Sequence, residues 1–399
     1  MIHSSYYRPK VLPVLEDLAP NEIDRLQDLS ATATLNRTKI EEIGRDGIVD
    51  WKTATPTVSV TMRQLEYGTI DFWRELANKG DSVTQVNFSD FKTPLVDIAG
   101  YKTDDSGTFL GTIYYPGLRT ASFGVSAGDP DALMERSFTL SGEDEIVLLN
   151  NNKYLIYKRF VASGGTDEAF TLSDPVPYPD PDNSGDYLFR VARTRANVTT
   201  EILVADWSYD GAGELTVNGT SVAGDVIRVW YSATTYISGV EPFIENDADL
   251  AGISADSCSV YLESSNYLYR LQSASLEVTL DRYDVMEIGN KDKVAYGTRD
   301  ITTRVTLGRM LESYTIEEVL RGKAGQSYGK IDVRNFSSNL NLIIKIYSDN
   351  TKTNFLMGYK CIGLAPTGTD IATPTSDYIN RGVTLEGEEG FVTTVEGIL

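Results

Sequence analysis

Apolar and hydroxyl side chains alternate through TVSVTM (57–62), which predicts a half-buried strand with a period of two residues. Ile70, Trp73 and Ala77 then recur at helical spacing and predict an amphipathic helix over 69–79, with Gly80 where it would stop. PLVDI (94–98) reads as the next strand and TDDSG (103–107) as a polar turn. The same succession returns later in the chain. Residues 303–307 (TRVTL) lie where 58–62 lie, and Ile316, Val319 and Leu320 define a second helical face. Thr315 and Glu318 have capping-box spacing, Gly322 sits where that helix would end, and LIIKI (342–346) leads into the polar stretch SDNTKT (348–353).

Self-comparison turns this impression into a repeat. LNRTKIEEIG (35–44) lies opposite LDRYDVMEIG (280–289) at an offset of 245, with Leu35/Leu280, Arg37/Arg282, Glu42/Glu287, Ile43/Ile288 and Gly44/Gly289 identical. The correspondence is collinear in both directions. It reaches Leu26-Gln27 with Leu271-Gln272 upstream, and Asn87-Phe88-Ser89 with Asn335-Phe336-Ser337 downstream. It closes on SFTLSGED (137–144) with GVTLEGEE (382–389), again at 245. Such collinearity predicts a duplicated, mainly β domain in which each copy carries one flanking helix.

The expected organisation is an N-terminal arm (1–25), copy one (26–150), a linker with an inserted β module (151–255, core 168–236), and copy two (256–399). The insertion opens on the turn-rich DPVPYPDPDN (174–183). Its strand-like runs are YLFRVAR (187–193), TEILVADW (200–207), ELTVNG (214–219) and VIRVWYSA (226–233). Asn218-Gly219 reads as a hairpin turn, and the whole as a small sandwich-like module.

Composition narrows the chemistry. The 399 residues carry a formal charge of −21, a single histidine, His3, and two cysteines, Cys258 and Cys361. Nucleic-acid grip needs clustered Lys and Arg, and no basic run exists. One histidine near an end supports no Ser-His-Asp triad, and three Cys and His in all fall short of a structural zinc site. DPDNSGD (180–186) resembles a calcium loop only superficially, because Val191 stands where a bidentate Glu belongs. No phosphate-binding glycine loop and no membrane-length apolar run is present. The sequons at Asn197 and Asn218 carry no meaning without a secretory signal, and MIHSSYYRPK has no apolar h-region. Glu42 and Glu287 occur symmetrically, as a strand-end or contact role would have them and a single catalytic pair would not. We expect no catalytic, metal or cofactor site, and no enzyme. Trp51 and Tyr296 occupy one position in the two copies and are either interface anchors or core.

The stretch IEEIGRDGIVDWKTATPTVSVTM (40–62) resembles the strand–loop–strand segment of major tail tube proteins of tailed bacteriophages. The features that carry this are Glu41-Glu42, Asp46-Gly47, Trp51-Lys52, Pro56 and Val58-Ser59-Val60. Copy two departs from it, with Tyr296 for Trp51, Ile301 for Pro56 and no D-G. The resemblance implies two tandem tail-tube-like β-barrel or sandwich domains plus the inserted module. It implies rings that stack into a conduit for genome DNA in the virion tail, assembled in the host cytoplasm, with an acidic lumen. Tube rings of the family are six-fold, so a chain with two tube domains implies a ring of three chains. The implied partners are other copies of the chain, the tape measure protein and genome DNA transiently in the lumen, and other tail proteins at the tube ends. The candidate ring and stacking residues are Glu42, Gly44, Asp46, Trp51, Glu287, Gly289 and Tyr296. A distal-tail or baseplate hub ring and a carbohydrate-binding adhesion module of the tail are the alternatives.

Overall fold

A computed structural model describes residues 6–13, 21–23, 25–41, 48–53, 55–80, 82–104, 108–128, 131–149, 153–172, 175–179, 188–195, 198–236, 252–263, 266–268, 271–285, 295–310, 315–321, 332–372 and 380–399. It is mainly β, with large antiparallel sheets and, among the described residues, two short α-helices. The chain opens with β1 (Tyr6–Pro13) and β2 (Asn21–Glu22). The first repeat follows as β3 (Leu26–Thr34), β4 (Arg37–Glu41), β5 (Ile48–Thr53), β6 (Thr57–Leu65), α1 (Asp71–Leu76), β7 (Gln85–Asn87), β8 (Val96–Thr103), β9 (Phe109–Ala127), β10 (Glu135–Gly142) and β11 (Ile146–Leu149). The inserted segment holds β12 (Tyr154–Val161), β13 (Gly165–Thr171), β14 (Leu188–Arg195), β15 (Val198–Glu201), β16 (Trp207–Tyr209), β17 (Glu214–Ser221) and β18 (Val226–Ala233). After β19 (Cys258–Leu262) and β20 (Asn266–Tyr267), the second repeat comprises β21 (Leu271–Val285), β22 (Ala295–Met310), α2 (Thr315–Leu320), β23 (Leu340–Tyr347), β24 (Phe355–Ala372), β25 (Asn380–Gly387) and β26 (Glu389–Thr393).

The two repeats share strand register as well as element order. Ala31 faces Val60 across β3–β6, and Leu276 faces Val305 across β21–β22. Phe138 faces Phe123 as Val383 faces Thr369, and Ile146 faces Tyr114 as Phe391 faces Lys360. Irregularities of register recur in the same places. The shift at Leu26/Asp28 returns at Leu271/Ser273, that at Val96/Ile98 at Leu340/Leu342, and that at Lys102/Thr103 at Ile346/Tyr347. The break opposite Thr139/Leu140 returns at Pro366/Gly368. Each bulge turns the following side chains to the other face, so shared bulges mean shared inward and outward faces. Gly117 and Gly363 sit at one point of the two long strands with φ of 62° and 70°, values an L side chain adopts only under strain.

The chain folds as two compact units. The first comprises Met1–Ile23, Leu95–Leu118 and Gly142–Asp247. In it β1 runs antiparallel to β8, from Tyr6 opposite Thr103 to Pro13 opposite Val96, so part of the stretch read as an arm forms a strand of the sheet. The inserted segment forms a four-stranded sheet, β12-β18-β14-β15, and a three-stranded one, β13-β17-β16. Ile156, Val191, Leu215, Val217, Ile227 and Val229 fill the core between them. β18 is buried along its whole length because its other face, with Trp230, packs with Leu155 and Ala192 against Tyr101, Phe109 and Tyr114.

The second unit comprises Asp24–Pro94, Arg119–Ser141 and Ala248–Leu399 and holds elements of both repeats. Trp73 of α1 is fully buried, its ring 5.1 Å from Phe123, 5.0 Å from Phe138 and 5.8 Å from Tyr359 of the second repeat. β6 alternates as expected, with Val58, Val60 and Met62 inward.

Three local expectations change. The helix of the first repeat ends at Leu76, not Gly80, because Asn78 takes the left-handed turn at φ 55°. Asn218-Gly219 lies inside β17, where the register shifts between Thr166 and Glu168. There Gly219, at φ 85°, donates its N–H to Asp167 (2.8 Å), so the dipeptide makes a bulge and not a hairpin. TEILVADW is broken by a 3-10 turn at Val204–Asp206 between β15 and β16.

Candidate assembly interface

Of the residues singled out for ring contacts, Glu42, Gly44, Asp46, Glu287 and Gly289 lie outside the described residues, as does the calcium-like stretch 180–186. The backbones of Trp51 and Tyr296 are described. Trp51 faces Lys39 across β4–β5, and Tyr296 faces Asp284 across β21–β22, so the two occupy one rung of equivalent hairpins.

The structure draws attention to a different place, where one repeat meets the other. The second half of β9 pairs antiparallel with β21: Ala274 faces Ala127, Leu276 faces Val125, Val278 faces Phe123, and Thr279 faces Ser122. Leu276, Val278, Phe123 and Val125 are at most 3% exposed. The strands approach so closely that a Cβ on Gly124 would lie 2.7 Å from the Leu276 carbonyl oxygen. A second strand pairing joins the repeats, with Phe391 of β26 facing Asn87 of β7.

Arg282 clamps the seam from the second repeat. Its Nε and Nη2 donate to the Thr120 carbonyl (3.0 and 2.6 Å), and Nη2 donates to the Phe91 carbonyl (2.8 Å). Nη1 donates to Thr298 Oγ1 (2.6 Å) and to the Lys92 carbonyl. One guanidinium thereby satisfies three backbone carbonyls of the first repeat, which its rigid fork of donors suits. Burial, and then the neighbouring Arg119 charge, lower its pKa to about 10, leaving it charged at neutral pH. Arg37 and Arg282 are among the identities that define the repeat, and that is the sequence's one signal of the clamp.

Beneath the seam lies a buried ion pair. Arg136 and Glu66 are both fully buried. Arg136 Nε donates to Glu66 Oε2 (2.6 Å), and Nη2 to Glu66 Oε1 and the Thr69 carbonyl (2.8 Å). Tyr359 OH donates to Glu66 Oε2 (2.9 Å) and the Gly68 N–H to Oε1 (2.8 Å). Burial works against the guanidinium charge. The carboxylate of Glu66, followed by Tyr359, outweighs it, so the Arg136 pKa stands above its ordinary value. The counterpart strand carries Arg381, paired with Glu317 at 3.2 Å.

Cys258 and Cys361 are buried free thiols. Burial pushes Cys258 up to about 12 and Cys361 further, so neither is a thiolate nucleophile at neutral pH. Among the described residues no group of three or more His, Cys, Asp or Glu could hold a metal, and no helix is long and apolar enough to cross a membrane. What this arrangement can do is hold strands together: it offers paired edges and donors aimed at backbone.

No protein-family model matches the sequence, and no curated protein matches it. Among solved structures the chain is similar to one from the cryo-EM structure of the anti-feeding prophage cap, described as a tube-terminating cap. The identity is 12% and the TM-score 0.29, over 40% of this chain and 100% of that one.

Proposed function

We propose that this chain is a structural, non-enzymatic protein of a bacteriophage tail, three copies closing a pseudo-six-fold ring and rings stacking into the tube that conducts genome DNA. The observation that carries the reading is the β9–β21 seam. Two copies of one fold, alike in register and bulges, are joined edge to edge by main-chain pairing. Edge-to-edge joining of like units is how a ring closes and how strand edges are removed from solvent. The net charge of −21 suits a conduit that DNA passes without sticking, since phosphate is held by basic surfaces. Partners on this reading are further copies of the chain, the tape measure protein and DNA during passage, and other tail proteins at the ends, all in the virion. Glu42, Gly44, Asp46, Trp51, Glu287, Gly289 and Tyr296 are its candidate ring and stacking contacts.

Negative-stain microscopy and native mass spectrometry of the full chain test the reading. Rings or tubes with three chains and six similar densities per ring are expected. A chain that stays monomeric at high concentration, or rings of six chains, would overturn it.

A further inference from the structure

The repeat makes the next interface calculable. At the internal seam the second half of β9 lies against β21. The counterpart of β9 is β24, and that of β21 is β3. Among the described residues, Ala365–Ala372 of β24 pairs with β25 alone and β3 with β6 alone, so each has one side without a strand. Burial marks the same two edges. Leu276, Val278 and Leu280 are 2%, 0% and 3% exposed, whereas their counterparts Ala31, Ala33 and Leu35 are half-buried, exposed and 59% exposed. Val125 is 3% exposed and its counterpart Ile371 is 56% exposed.

The clamp shows the same asymmetry. Arg282 is bonded to three carbonyls across the internal seam, whereas its identical counterpart Arg37 is exposed and meets no hydrogen-bond acceptor among the described residues. The counterpart of Thr120, whose carbonyl Arg282 holds, is Pro366, which keeps its carbonyl. The counterpart of the repelling Arg119 is the neutral Ala365.

We infer that β3 of one chain pairs antiparallel with the C-terminal half of β24 of a second copy, Ala31 facing Ile371, Ala33 facing Thr369 and Thr34 facing Gly368, with Arg37 donating to the Pro366 carbonyl of its neighbour. The register is that of the internal seam carried through the repeat offsets, 245 for β21 to β3 and 246 for β9 to β24. Thr32 falls opposite Asp370, so no like charges meet. The occupant is a second copy because the edge reproduces a surface that the chain already covers with its own counterpart strand. The inference rests on the self-assembly proposed above, and not on the tail as its setting.

Mixing full chains that carry Ala31→Cys with full chains that carry Ile371→Cys tests it. Directly facing residues of an antiparallel pair lie about 4.5–5.5 Å apart at Cα, within disulfide reach. The native thiols are buried and stay out of the reaction. The expected result is a disulfide-linked dimer in the mixture, absent from either variant alone and absent when Thr32→Cys replaces Ala31→Cys. The Ala31→Cys/Ile371→Cys double variant then gives a ladder that ends at the ring. Arg37→Ala should raise the concentration needed for assembly about tenfold or more, leaving the thermal unfolding of the free chain unchanged. Assembled particles that form no Ala31–Ile371 link, or Ile371→Cys chains that link to one another, overturn the register while leaving self-assembly standing. A ladder that ends at six chains upholds the seam and overturns the ring of three. Wild-type chains that never associate overturn both.

Discussion

Replacing Arg136 by leucine removes the cation from a fully buried site. Glu66 is fully buried and would keep only the Tyr359 hydroxyl and the Gly68 N–H of its former partners. Breaking a buried ion pair from one side costs about 3–5 kcal/mol, because the abandoned charge stays desolvated. Set against a total stability of about 5–15 kcal/mol, that is a large fraction. Removing both charges, as Arg136→Leu with Glu66→Leu, takes the stranded carboxylate away. What remains is the loss of an acceptor for Tyr359 and Gly68 and of a donor for the Thr69 carbonyl, about 1 kcal/mol each. Arg136→Leu alone also loses that donor and strands the carboxylate besides, so the double variant should be more stable than Arg136→Leu alone. Urea unfolding followed by tryptophan emission is the assay. Trp73 lies 5.8 Å from the Arg136 guanidinium and reports this core, while Trp230 reports the other unit. A single-variant loss below about 1 kcal/mol, or single-variant losses that simply add in the double, would refute the account.

The buried thiol predicts how stability falls with alkali. Cys258 ordinarily titrates near 9 and is raised to about 12 by burial, so its contribution is full below pH 9 and lost between 9 and about 12, roughly 4 kcal/mol at 1.36 kcal/mol per unit. The urea midpoint should drop steeply across that window and less so in Cys258→Ala; a midpoint unchanged to pH 11 contradicts this. Both cysteines should resist a thiol reagent at pH 7.5 and react together once guanidinium unfolds the chain, and fast labelling of the folded protein would show the burial to be wrong. Gly363→Ala should cost about 1–2 kcal/mol from backbone strain alone, since the nearest atom to the new methyl is 3.8 Å away; an unchanged melting temperature argues against the left-handed kink. In the first unit, buried Asp97 accepts from Tyr114 OH (2.7 Å), the Gly117 N–H (2.7 Å) and Arg190 (2.9 Å). Asp97→Ala and Arg190→Ala should each lower the melting temperature by several degrees, since either change strands the other charge of a buried pair.

Period-two strands and the duplication are legible in the sequence because both are local or collinear signals. β6, β8, β23 and β18 lie where alternation or an apolar run places them. Other features leave no such trace. β1 contains Pro9 and Pro13, which discourage a strand assignment, yet proline is tolerated where its nitrogen faces away from the ladder, and Pro9 faces Gly100 of β8. Asn-Gly is a turn signal because both residues accept positive φ, and a bulge uses the same freedom. β12 and β13 pair with β18 and β17 from far along the chain, so strands before residue 168 belong to the same sheets as the module's expected core. The β9–β21 seam is invisible for the same reason: which edge meets which is decided by tertiary packing.

The two seams differ in composition in a way that follows from when each is covered. The internal seam joins segments of one chain, whose effective concentration is about millimolar, so its edges meet as the chain folds. It uses Leu276, Val278, Phe123 and Val125, a set that would be a hazard if left in solvent. On the inferred pairing, the edges that join separate chains must wait in solution at whatever concentration the cell provides. An edge that waits exposes a template for any other strand, and small, polar or charged side chains reduce that risk. β3 reads LQDLSATAT, with alanines where β21 has Leu276 and Val278. β24 has Thr369 and Asp370 where β9 has Phe123 and Gly124. The apolar content given up there has to be made good by directed bonds. Arg37, kept identical to Arg282 and exposed, is the side chain that supplies them: a guanidinium is harmless in water and becomes a clamp only when a carbonyl in the right register arrives.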